Sequence, residues 1–155
     1  MKNQLKQLIY YIDRGNGHFE PFYEYMITDV GADEFYARQL CTYFIMKGTQ
    51  YELISNEMDG DQEILVIKEM RRNLSGEDER NFRGKGIHVE FRSPNERENY
   101  RLFSRIPCDA HFDVLRFLLK DIVDVPGIGQ MLVTSKEIDE DRGVYVLYVT
   151  DLEES

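Results

Sequence analysis

The sequence predicts an α+β protein made of two pseudo-repeated ββαββ units, with antiparallel sheet covered by two helices. Three observations lead there. First, across residues 32–47, Tyr36, Ala37, Leu40, Cys41, Phe44 and Ile45 fall on one side of a helical wheel, and Arg38, Gln39 and Thr42 on the other. That is the 3.6-residue period of a helix packed on one face. Second, Asp59-Gly60 separates two strand-like runs, 50–56 and 63–68, and such a dipeptide favours the positive φ of a tight hairpin. Third, the pattern returns about eighty residues later: Val114, Leu115, Leu118 and Ile122 share a helical face, and strand-like runs follow at 131–135 and 144–149.

The elements follow in order. Leu5, Leu8, Ile9 and Ile12 fit a helical stripe, but 8–12 is also dense in Ile and Tyr, and the internal echo favours a strand. After the turn Arg14-Gly15-Asn16-Gly17, residues 18–27 return as an aromatic strand. Pro21 lacks an N–H and belongs at a sheet edge. Phe19, Phe22, Tyr23 and Tyr25 are expected on the core face, with a docking surface as the alternative. Asp29 and Asp33 are placed to cap the first helix, and Gly48 to close it. Residues 1–70 thus form the first unit. Residues 71–86 read as a polar, turn-rich linker, and 87–155 as the second unit.

In that second unit Ile87, Val89 and Phe91 alternate with His88, Glu90 and Arg92. With 93–98 as the loop, Phe91 pairs with Tyr100, Val89 with Leu102, Glu90 with Arg101 and His88 with Phe103. Asp109 caps the second helix, Pro126-Gly127 ends it, and 139–143 is the last turn. In layout, a strand-helix-strand-strand unit used twice resembles bacterial effector-binding domains of the gyrase-inhibitory type, although the chain carries none of their motifs.

The net charge of −10 is unevenly spread. Residues 1–67 carry 5 basic and 11 acidic side chains, 68–105 carry 10 and 7, and 106–155 carry 4 and 11. Overall acidity argues against nucleic acid, whose phosphates need a basic field. No run is long enough to span a membrane, and the N-terminus lacks a signal design, so the expected location is the cytoplasm. Cys41 and Cys108 read as reduced packing residues.

His88, Glu90, Arg92, Arg101 and Arg105 gather on one hairpin face and form a candidate anion site, weighed against a solvated face with one ion pair. Cys108 and His111, with Asp109 or Asp113, have the composition of a thiol nucleophile, although a structural histidine is favoured. Arg83-Gly84-Lys85-Gly86 precedes a strand and lacks the spacing of a phosphate loop. Asp59, Asp61 and Glu63 do not match a calcium loop, so neither metal nor cofactor is expected. The leading expectation is a non-enzymatic interaction or regulatory protein that binds a protein partner or itself as a homo-oligomer. The alternative is a sensor binding a small anionic ligand in the cleft between the two units.

Overall fold

The structure, a computed structural model, describes residues 6–73 and 78–154. Leu5 of the first stripe and residues 74–77 of the polar linker lie outside the described residues. In chain order the elements are β1 (Gln7–Asp13), β2 (Phe19–Met26), α1 (Ile27–Val30), α2 (Ala32–Gln39), β3 (Tyr43–Met46), β4 (Thr49–Asp59) and β5 (Gln62–Arg72). There follow β6 (Ile87–Arg92), β7 (Leu102–Cys108), α3 (His111–Leu118), β8 (Ile122–Val125), β9 (Gly129–Asp139) and β10 (Val144–Thr150).

The ββαββ units and the antiparallel sheet covered by two helices are both overturned. One mixed sheet runs β2-β1-β5-β4-β3-β9-β10-β6-β7, and β8 pairs with the first residues of β9. Three of its pairings are parallel: β1 with β5, β3 with β9, and β6 with β10. Among the described residues each half carries five strands, and there are three short α-helices. The strand-helix-strand-strand layout falls with the same finding. In each half the first strand lies between the second, antiparallel, and the fifth, parallel. The parallel β3–β9 pair joins the halves.

The strands missing from the expectation are β3 and β8, whose residues the helical wheel assigns to the ends of the helices. Lys47 and Gly48 have φ of 52° and 76°, and Met46 pairs with Thr49 across them. A two-residue turn with both φ positive matches the twist of a β-hairpin, so the chain before it is extended. Tyr43, Phe44 and Ile45 then gain ladder partners on both sides, from β4 and β9. That pairing satisfies the backbone better than a frayed last helical turn would. The expected caps also differ. Neither Asp29 nor Asp33 caps α2; its N-cap is Gly31, at φ 84°. At α3 it is Asp113, rather than Asp109, whose carboxylate accepts from the Ala110 N–H at 3.3 Å.

Alternation along the strands divides the molecule into a dry side and a polar side. Leu8, Tyr10, Leu65, Phe44, Ile138, Leu147 and Phe91 point into one core with Phe35 of α2 and Val114 and Leu118 of α3. This core is continuous across both halves. β2 is an edge strand, where the missing N–H of Pro21 is tolerated. Its Phe22 and Tyr25 pack against the core, whereas Phe19 and Tyr23 are exposed.

The loop 82–86 packs on the β9–β10 turn. The Phe82 N–H donates to the Arg142 carbonyl at 2.7 Å, and a Cβ added at Gly143 would stand 3.0 Å from the Arg83 backbone. Gly143 also has φ 69°. Gly143→Ala is therefore expected to destabilise by roughly 1–3 kcal/mol, from left-handed strain plus overpacking, read as a lower urea midpoint with an unchanged slope. An unchanged midpoint would show that this turn is free to move.

Candidate functional site

The polar side of the sheet carries a buried charge network with Glu90 at its centre. Glu90 is fully buried. It accepts from Arg92 Nε at 2.7 Å, from Arg105 Nε at 2.9 Å, and from Arg142 Nη1 and Nη2 at 2.9 and 2.8 Å. Burial alone would raise its pKa, but the hydrogen bonds from Arg142 and Arg92 outweigh that and hold it down at about 2. Arg142 is itself clamped by Asp139, which accepts from its Nε at 3.0 Å and from its N–H at 3.1 Å. Asp78 anchors the outer end: it accepts from Arg92 Nη1 at 2.8 Å and from the Leu102 N–H at 3.0 Å.

The expected hairpin register is shifted by four residues. Glu90 lies opposite Arg105, Phe91 opposite Ser104, Val89 opposite Ile106 and His88 opposite Pro107. The connection is longer than expected because Glu96–Glu98 forms a 3-10 turn and both Asn99 and Tyr100 take left-handed φ, of 53° and 51°. An even shift preserves the facing of every side chain, so Glu90 still meets an arginine.

Of the candidate anion site, the structure brings together Glu90, Arg92 and Arg105. Arg101 lies outside the strands, exposed, with its guanidinium 4.9 Å from the Phe103 ring centroid. His88 stacks on Phe82 with ring centroids 4.2 Å apart. Cys108 and His111 make no hydrogen bond to each other among the described residues. Burial raises the Cys108 thiol, and the charges of Asp113 and Asp109 push it further the same way, so it is no thiolate near neutrality. His111 lies 3.5 Å from Glu34 and edge-on to Tyr145. Burial lowers its pKa, with Glu34 pulling the other way.

Beside the network is a cavity of about 1090 Å³. Tyr43, Ile45, Gln50 and Met70–Asn73 line it from the first half; Arg92, Tyr100, Arg101, Ser135, Glu137, Arg142 and Tyr148 are among its lining residues from the second. Glu137 is 2% exposed. It accepts from Gln50 Nε2 at 2.9 Å and from the Tyr148 hydroxyl at 2.8 Å. Burial nevertheless pushes its carboxyl up to about 7, and the nearby Asp139 charge acts in the same direction. The result is a carboxyl able to give or take a proton near neutral pH, inside a polar cavity. At the rim, Arg71 Nη2 donates to the Tyr100 hydroxyl at 2.6 Å, tying β5 to the loop of the second half.

Sequence reasoning missed Glu137, Gln50 and Tyr148. They come from three strands, and only the β3–β9 junction assembles them. Among the described residues, no group of three or more His, Cys, Asp and Glu side chains is arranged to hold a metal, and no helix is long and apolar enough to cross a membrane. No family model, curated protein or solved structure matches this chain.

Proposed function

We propose that the protein binds a small molecule in the polar cavity between its two halves and acts as a ligand-responsive regulatory protein in the cytoplasm. The observation that carries this is the cavity of about 1090 Å³ whose wall includes the buried polar groups Glu137 and Arg92. A volume of this order suits a metabolite-sized ligand, and a few convergent polar groups suit orientation and selectivity. Both halves line it, so occupancy would bias how they sit together. The cytoplasm suits the two free cysteines, one of them with its thiol pushed up to about 12 by burial.

The test is a thermal-shift screen of metabolites, repeated on Ser135→Trp, which places a bulky ring on the cavity lining. A ligand at a hundred times its Kd adds about 2.7 kcal/mol to folded-state stability, and the variant should lose that gain. A hit that stabilises both proteins equally would place binding elsewhere. A second reading, an interaction with a protein partner or another copy, is favoured by Phe112 and Leu119. These are 68% and 64% exposed, and seven residues apart at one end and just beyond the other of α3. A concentration-independent monomer by light scattering would count against self-association.

A further inference from the structure

Among the described residues, Arg92 is the member of the charge network whose guanidinium is left incompletely satisfied while it also lines the cavity. It is 1% exposed. Its Nε is bound by Glu90 and its Nη1 by Asp78 and the Tyr100 carbonyl, but Nη2 is buried with no hydrogen-bond partner among the described residues. A buried donor left without an acceptor is rare and costs about 1–3 kcal/mol. An acceptor carried by a molecule bound in the cavity that Arg92 lines would complete its set of partners. On the adjacent strand Tyr148 stands directly opposite Arg92, and Tyr100 packs edge-on to Tyr148 with ring centroids 6.0 Å apart. Arg92 therefore adjoins two tyrosines, one of which, Tyr100, is held in a left-handed conformation. Strain of that kind gathers at ligand clamps.

The cavity wall carries both signs, with Glu96 and Glu98 beside Arg71, Arg72 and Arg101. Arg72 and Arg101 are exposed and pair with no carboxylate among the described residues. The network acids are already engaged by Arg92, Arg105 and Arg142.

Resting on the cavity reading above, we infer that the ligand carries an oxyanion, a carboxylate or phosphate, which accepts a hydrogen bond from Arg92 Nη2, with Arg72 and Arg101 drawing it in. Guanidinium-to-oxyanion hydrogen bonds are about twice as strong as neutral ones, and exposed arginines add a salt-dependent attraction.

The experiment is calorimetric and thermal-shift binding of matched probe pairs to the full chain: benzoate against benzamide, and glucose 6-phosphate against glucose. At least one anion should bind tenfold or more tightly than its neutral partner, and the pair that responds separates carboxylate from phosphate. Arg92→Lys keeps the charge but removes Nη2, and should weaken the anion tenfold or more while leaving the neutral probe unchanged. If that variant does not fold, the exposed pair Arg72→Ala with Arg101→Ala decides: at least a threefold loss of anion affinity is expected, with a flatter salt dependence. Equal binding of anion and neutral partner, lost in Ser135→Trp, would overturn the oxyanion assignment and leave the cavity reading standing. Absence of binding by all four probes would overturn the assignment, while a hit from the wider screen would still support the cavity. Anion binding that survives both arginine changes would overturn it too.

Discussion

Glu90→Ala is expected to lower stability by about 3–5 kcal/mol, the cost of leaving buried cations without their counter-ion. Three arginines converge on this one fully buried carboxylate. Asp78 and Asp139 would still hold Arg92 and Arg142 at their far ends, but among the described residues Arg105 would keep just the Asp78 carbonyl, at 3.2 Å, and the Phe82 ring, 4.8 Å away. The penalty comes mostly from the stranded guanidinium groups and much less from the loss of attraction as such. Glu90→Gln should therefore fall between wild type and alanine, because the amide oxygen can still accept while the charge is gone. Urea unfolding of the three proteins at pH 7 measures this directly. A loss below about 1 kcal/mol for alanine would mean that water fills the site and solvates the arginines.

The second large effect concerns Glu137 and pH. Its folded pKa of about 7 lies above its ordinary value of 4.5, so between those pH values the native state holds a proton that the unfolded chain has released. Stability then falls as pH rises through that window. The loss comes to about 3 kcal/mol between pH 4.5 and pH 8, because holding one extra proton costs the native state about 1.36 kcal/mol for each step of one in pH. Glu137→Gln has nothing to titrate there. Its amide still accepts from Tyr148, and a flip of Gln50 restores the other contact. The variant should thus gain on wild type from pH 5 to about pH 7 and level off towards pH 8. Parallel pH profiles for the two proteins over that range would rule the idea out. Glu90 acts in the opposite sense. Its pKa is held at about 2, so its contribution is complete above 4.5 and is lost as pH falls towards 2. Together the two carboxyls place their joint optimum near pH 4.5–5.

How much of this was legible beforehand depended on the range of the interaction. The short apolar stretch 43–46 matched a helix wheel and a strand equally well, because a run of four residues does not separate the two periods. Its state was decided by β4 on one side and β9, over ninety residues away, on the other. The candidate site divides in the same way. Glu90, Arg92 and Arg105 could be grouped from sequence, since alternation on a strand places them on one face whatever the even register. Arg142 could not: it is 52 residues from Glu90 and arrives through the parallel pairing of β6 with β10. Glu137, Gln50 and Tyr148 likewise give no local signal, because each looks like an ordinary strand residue.

By itself, then, the sequence determined the positions of most strands, the hairpin turn at Asp59-Gly60 and the common face of Glu90, Arg92 and Arg105. All of these rest on local φ preferences and on the two-residue period of a strand. The tertiary structure decided where the helices stop, which strands run parallel, and that acidic and basic side chains from distant segments share one buried network on the polar side of the sheet, beside a cavity. Burial and long-range pairing set those outcomes, and neither quantity is carried by any short stretch of chain.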